Sequence, residues 1–248
     1  FFPARALPGS AVDAFDWLLA AAPQKDLMSG RAWTTEAIMA QLEKFSALPR
    51  LLLGRSLDER IRSFPGDNVG LLDQLRLSQA ARGMADLLSE RLLKNPARRK
   101  PLGSFILAGI NPVMAHEFAR AYVEHCHGAT GTVVRILLSG RSRQETPEIF
   151  ARIRGELRGK SGGVIVMEEI AAATPHFLET LETILEEGDG PALTRVIFLF
   201  PTTVGESLMG NAGFLPSQLH KAVIREVKTQ LPPPVWRRTD AIHIADTE

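Results

Sequence analysis

The chain has 248 residues, of which 45% are hydrophobic and 23% charged, enough for one large domain or two small ones around a buried core. Lys and Arg total 29 against 28 Asp and Glu, a net charge of +1, which is not the footprint of a protein built on nucleic-acid phosphates. The one cysteine excludes an intrachain disulfide framework and points to a reducing, cytoplasmic compartment. No apolar run approaches the roughly 18 residues of a membrane helix, so membrane insertion is not expected.

Residues 1 to about 95 read as helical. Ala11, Val12, Phe15, Leu18 and Leu19 recur at helical spacing after Leu7-Pro8-Gly9-Ser10. Thr35 is a suitable N-cap before Ile38, Met39, Leu42 and Phe45, and a break follows at Ser46-Ala47-Leu48-Pro49. Residues 64–70 carry turn chemistry. One long helix is then predicted from about Leu71 to Leu93, ended by Asn95-Pro96. The chain opens on Phe1-Phe2-Pro3 with neither methionine nor signal segment, so it is expected to be part of something longer.

From Pro101 the pattern changes. Apolar runs at Phe105–Ala108, Val133–Leu138, Val164–Met167, Val196–Phe200 and, more weakly, Ala241–Ile244 read as strands buried on both faces. Amphipathic helices near 113–127, 145–158, 175–187 and 215–230 alternate with them. The expected fold class is α/β, a parallel five-stranded sheet flanked by helices with a helical segment before it. Ligands of such sheets bind at the carboxyl ends of the strands. That directs attention to the turn after Ala108 and to the acidic pair after Met167.

These segments resemble, in order, those of the Clp-type AAA+ unfoldases and disaggregases. Pro101-Leu102-Gly103-Ser104-Phe105-Ile106-Leu107-Ala108-Gly109 is similar to the strand leading into the family's Walker A loop. Val164 to Ile170, with Thr174-Pro175, is similar to its Walker B strand, and Leu231 to Asp240 to the segment ending in its arginine finger. Arg5-Ala6-Leu7-Pro8, Ala11-Val12-Asp13 and Asp16 resemble the helical lid of a first ATPase module, and Thr35-Glu36 to Leu48-Pro49 the link to a second. The resemblance implies a lid-like segment over residues 1–55 and, over 56–248, the large domain of an AAA+ module that lacks its own carboxyl-terminal lid.

The nucleotide motif departs from that pattern. A working P-loop reads Gly-x-x-x-x-Gly-Lys-Ser/Thr, in which backbone N–H groups cradle phosphates, lysine neutralises them and the hydroxyl holds magnesium. Here Gly109 is followed by Ile110, Asn111, Pro112 and Val113. Met114 then stands at the second glycine, Ala115 at the lysine and His116 at the hydroxyl position. Pro112 has no N–H to offer, and Asn111-Pro112 reads as an ordinary N-cap and first helical residue. Neither ATP nor magnesium is therefore expected as a cofactor.

Other positions are partly kept. Glu169 matches the water-activating glutamate and Glu168 replaces the metal-orienting aspartate; the pair reads as a solvated acidic pair opening a loop. Thr202 stands at the polar sensor position, normally asparagine. Arg238 stands at the arginine-finger position. It reads either as a surface arginine beside Asp240 or as a group acting on a neighbour's phosphate. No aromatic-glycine pore loop lies between Ser139 and Gly163, where Phe150 falls on a helix, and residues 68–79 hold no counterpart of the family's adenine-edge Gly-Gln motif.

Three decoys are rejected. Gly159-Lys160-Ser161-Gly162-Gly163 precedes a strand, the wrong order for a P-loop or a nucleophile elbow. His125-Cys126-His127 points to different sides of a helix, no second ligand cluster follows, and Cys126 continues the apolar stripe, so no metal is expected. The basic stretches Arg91–Lys100 and Arg152–Lys160 lack interleaved aromatics and read as solvated faces or a subunit interface, not as nucleic-acid sites. The sequence thus predicts a pseudo-ATPase module that works by protein–protein assembly, in a homo- or hetero-oligomer. The alternative is a piece of a Clp-type, secretion-linked or other chaperone whose other module hydrolyses ATP.

Overall fold

A computed structural model describes residues 37–38, 40–41, 55–94, 99–209 and 216–246. The expected lid-like segment over residues 1–55 therefore lies almost wholly outside the described residues.

Helix α1 (Leu57–Asp67) starts at a capping box. The Ser56 hydroxyl accepts from the Glu59 amide at 3.2 Å, and the Glu59 carboxylate accepts from the Ser56 amide at 2.6 Å. The helix runs through Phe64-Pro65-Gly66-Asp67, where the sequence predicts a turn. Tertiary packing outweighs local propensity here. Phe64, 2% exposed, meets the rings of Phe118 and Tyr122 edge-on at 5.6 and 5.4 Å, and Asn68 Nδ2 donates to the Phe64 carbonyl at 3.0 Å.

The single helix predicted over 71–93 is two, α2 (Val69–Gln74) and α3 (Ser78–Lys94). Between them Arg76 takes φ 57°, which lets both Leu75 and Leu77 bury their side chains. The Leu77 amide donates to Leu72 O at 2.8 Å, and Arg76 Nε reaches the Asp246 carbonyl at 2.8 Å. One local and one long-range contact thus hold a conformation that a non-glycine residue seldom adopts.

Beyond the basic connection the expected alternation appears. The elements are β1 (Gly103–Ala108), α4 (Pro112–His127), β2 (Gly131–Leu137), α5 (Thr146–Leu157), β3 (Gly162–Glu168) and α6 (Pro175–Glu187). They continue with β4 (Val196–Thr202), α7 (Glu206–Met209), α8 (Pro216–Gln230), α9 (Pro233–Arg238) and β5 (Ala241–Ile244). The sequence reading missed α7 and α9. The run Pro232-Pro233-Pro234 reads as a breaker, yet prolines are tolerated in a first helical turn, where the lost N–H groups have no partner anyway.

The five strands are parallel, in the order β2-β3-β4-β1-β5. Alternate residues feed two cores. Phe105, Leu107, Val164, Val166, Ile197 and Leu199 meet α1, α3 and α4; Ile106, Ile165, Met167, Phe198 and Phe200 meet α5, α6 and α8 on the other face. Strands buried on both sides need no alternation of polar residues, which is why their sequences are continuous apolar runs.

Phe64 ties α1 to α4 and has no polar role. Phe64→Ala is expected to destabilise the protein by about 3–5 kcal/mol, measured by urea denaturation. A loss below about 1 kcal/mol is too small for a filled core site and refutes the docking of α1 through this ring.

Candidate functional site

The turn after β1 is closed upon itself. The Gly109 amide donates to Val204 O at 3.0 Å and the Ile110 amide to Thr202 O at 3.1 Å. Asn111 caps α4 as expected: its Oδ1 accepts from the Met114 amide at 2.9 Å, and its carbonyl accepts from the Ala115 amide at 3.2 Å. Pro112 carries no N–H. Four of the backbone donors around the turn are therefore committed within the chain.

Side chains fill the space over the turn. A Cβ placed on Gly109, whose φ is 73°, would lie 2.0 Å from Met209 Cε and 3.0 Å from its Sδ, so the thioether rests directly on the glycine. Arg76 Nη2 lies 4.0 Å from that sulfur. Ala115, at the lysine position, is 0% exposed within the core, and Met114 packs against the same cluster. His116 is half-buried, and its Nδ1 is buried without a hydrogen-bond partner.

The acidic pair is not a solvated unit, contrary to the sequence expectation. Glu168 is 2% exposed, and Arg135 of β2 holds both its oxygens, Nε to Oε1 at 2.5 Å and Nη2 to Oε2 at 2.8 Å. The strand places Glu168 on the buried face beside Val164 and Val166, so it needs a counter-charge there. Glu169 is exposed, with a left-handed φ of 55°. Arg135 is missed by sequence reasoning, although a single charge inside Val133–Leu138 is a signal that could reveal it.

Thr202 ends β4, where its hydroxyl accepts from the Val204 amide at 3.2 Å, so it is turned back onto its own chain. Arg238 does not sit beside Asp240 as a free surface group. It ends α9 and pairs with Glu182 at 2.7 Å and with Glu186, both on α6. These carboxylates raise its pKa, the Glu182 hydrogen bond being the main cause. Asp240 instead receives the fork of Arg91 and accepts from the Ser104 amide at 2.8 Å. A cleft of about 1100 Å³ lies among these residues, at the amino ends of β1 and β5 and so at the opposite end of β1 from Gly109.

Part of each basic stretch is paired inside the chain. Arg91 pairs with Asp240, Lys94 with Glu90, Arg152 with Glu156 at 2.8 Å and Arg154 with Asp189 at 2.5 Å. Among the described residues no group of three metal-ligating side chains exists.

Around His127 the hydrogen bonds assign the tautomer. Thr130 Oγ1 donates to His127 O at 2.8 Å, so at 2.8 Å it accepts from Ser161 Oγ, which leaves that oxygen to accept from His127 Nδ1 at 3.4 Å. Nδ1 carries the proton, and the buried Nε2 has no partner. Burial pushes this imidazole down to about 3, and it pushes the Cys126 thiol up to about 12, as befits an inert buried thiol.

No protein-family model matches the chain. Over 185 residues it is 25% identical to the chaperone protein ClpB of Lactiplantibacillus plantarum, an alignment covering 63% of this chain and 21% of that protein. Its fold is that of S. cerevisiae Hsp104 in an ADP complex, with a TM-score of 0.73 at 16% identity over 99% of this chain and 46% of the other. Hsp104 with ATPγS and FITC casein, in a closed state, superposes with a TM-score of 0.63 at 18% identity, over 99% of this chain and 44% of the other.

The chain is related to the Clp-type AAA+ disaggregases. It spans about a fifth of the length of its ClpB relative and under half of the Hsp104 chains. The five-stranded parallel sheet anticipated for a Clp-type AAA+ module is present, in the order already given. Among the described residues no helix is long and apolar enough to cross a membrane.

His127 yields a pH prediction. Its folded pKa of about 3 lies below the ordinary 6.5, so the unfolded chain takes up a proton first as pH falls. Stability is complete above pH 6.5 and is lost progressively toward pH 3, by about 2 kcal/mol at pH 5 from this group. Urea denaturation of wild type and His127→Asn at both pH values measures it. An unchanged difference between pH 6.5 and pH 5 in the variant excludes His127 as the source.

Proposed function

We propose that this chain is a Clp-type module that has given up its own nucleotide chemistry and works through protein–protein assembly. The observation that carries the reading is the Gly109 turn. The residues there do not fit a nucleotide with magnesium. The Gly109 and Ile110 amides are spent on Val204 and Thr202 carbonyls, and the Met209 methyl occupies the approach to the glycine. Ala115 is walled into the core, so a lysine substituted there would start from a dry position. Glu168 is already neutralised, and Glu169 is exposed on a left-handed residue.

In this reading residues 56–248 form the large domain and residues 1–55 belong to a preceding lid. The partners are other Clp-type modules or adaptor proteins in an oligomer. A second reading, that the chain is one module of a longer chaperone hydrolysing ATP elsewhere, is favoured by its match to only 21% of ClpB. The two are compatible, with this module as scaffold. The second predicts an intact Gly-x-x-x-x-Gly-Lys-Ser/Thr motif in the same gene product, which full-length sequencing checks.

Calorimetric titration with ATP and magnesium is expected to give no heat beyond dilution; micromolar binding refutes the primary reading. Arg238 has a further test. To reach a neighbour's phosphate it must leave both Glu182 and Glu186. Mixed with a Clp-type ATPase partner, wild type and Arg238→Ala should support equal hydrolysis rates. A clear fall in the variant makes Arg238 an arginine finger.

A further inference from the structure

We propose that the outer edge of β5 takes an uncharged, extended segment of a partner protein as an added strand. The inference rests on the reading of this chain as an assembly module and deepens it, by naming one surface through which assembly runs.

Strand β5 ends the sheet, paired with β1 on one side and, among the described residues, with no strand on the other. Main-chain groups alternate between the two sides of a strand. The Ala245 amide goes inward, to Ala108 O at 2.9 Å, and the Asp246 amide goes outward, to Arg76 O at 2.8 Å. The same alternation turns the N–H and C=O groups of Ile244 and Ile242 outward. At Asp246 this edge already receives main chain from elsewhere: the Arg76 carbonyl takes its amide, and Arg76 Nε donates to its carbonyl at 2.8 Å. Arg76 thus marks the point from which an added strand would run back along Ile244 and Ile242.

An open edge is ordinarily guarded by charge or proline. Ala241-Ile242-His243-Ile244 carries neither, and all four residues are half-buried, neither exposed nor walled in. A cleft of about 270 Å³ lies beside them, between Gln79 and Gly83 of α3 on one face of the sheet and Leu219 and His220 of α8 on the other. No lysine or arginine lines this cleft, and the Asp246 carboxylate is engaged by the Gln79 amide at 3.2 Å. An uncharged occupant fits such walls, and a charged one would lose its hydration without gaining a counter-charge.

His243 gives the cleft a polar point. A Cβ placed on Gly83 would lie 2.9 Å from its Cε1, so the ring rests on the glycine of α3. Burial, with His220 nearby, pushes this imidazole down to about 4, so it is neutral at pH 7, and its buried Nε2 has no hydrogen-bond partner. A serine or threonine hydroxyl on the added strand can donate to that nitrogen or accept from it. Main-chain pairing along the edge with side chains read by the walls is a recurrent mode of peptide capture.

The probe is a phage-displayed library of short random peptides, selected on the whole chain without nucleotide; the best peptide is then synthesised and measured by fluorescence polarisation. Selection should enrich uncharged peptides. N-methylation of the peptide amides that face β5 should weaken binding at least about tenfold, and N-methylation of the amides between them should not. Ile244→Pro removes one outward amide, and His220→Trp fills the cleft from an exposed position; each should weaken binding by a similar factor. If neither variant folds, the methylation scan on wild type still decides.

The proposal is overturned if no peptide is enriched or if the enriched peptides are acidic or basic. It is overturned equally if methylation shows no two-residue period, or if both variants bind the peptide as tightly as wild type. Dimerisation of wild type in sedimentation that Ile244→Pro abolishes also overturns it, by making the occupant a second copy of this chain. None of these outcomes involves ATP, so failure here is distinguishable from failure of the reading on which it rests, which the calorimetric titration tests.

Discussion

Strands β1 and β3 expose no side chain, and β4 exposes only part of its last residue. That double burial governs the rest of the molecule. Every backbone polar group along these strands must be paired, and each face must be covered by helices. At the strand ends, where ladder partners run out, the donors must go somewhere. In a nucleotide-binding α/β protein phosphate oxygens receive them. Here the β1 end sends its two amides sideways to carbonyls at the end of β4 and just beyond it. The demand for satisfied hydrogen bonds is unchanged, and a neighbouring strand meets it.

That closure draws distant segments together. The Ala245 amide donates to Ala108 O at 2.9 Å, so β5 finishes against the same turn. Arg76 and Asp246 exchange backbone and side-chain hydrogen bonds at 2.8 Å, and the Gln79 amide donates to the Asp246 carboxylate at 3.2 Å. Met209 completes the contact beside Ala245, over the same face of Gly109. Residues near 76, 109, 209 and 246 thus converge on one turn. Thioether packing suits such a place, since a flexible, polarisable side chain adapts to an irregular surface.

Much of this was legible in the chain itself. The five strands and the helices after Pro112, Pro175 and near 216–230 follow from continuous apolar runs and helical spacing. Burial on both faces, expected of all five strands, holds for β1, β3 and β4; β2 and β5 have only one neighbouring strand each and stay partly exposed, Arg135 and Leu137 of β2 facing solvent. The Asn111 cap is equally local and equally readable. What escaped is long-range. The turn read at 64–70 is helix because Phe64 finds Phe118 and Tyr122 far along the chain. The break at Arg76 depends on Asp246, and the burial of Glu168 depends on an arginine 33 residues earlier. Met209 has no sequence signal at all, since nothing local ties it to Gly109.

A ligand can shift a conformational equilibrium only through contacts that differ between states. At the Gly109 turn and at Glu168, the groups that would make such contacts are already engaged by the chain. The local shape of both places is set by the chain's own side chains. The pairing of Arg91, Arg152, Arg154 and Arg238 with acids of the same chain extends the logic to the surface. Counter-ion release from a polyanion draws on unpaired cations, and these four are already paired. The exposed pairs among them, those of Arg152, Arg154 and Arg238, are individually weak. On the proposed reading of this chain as an assembly module, such pairs are the contacts a partner protein would exchange.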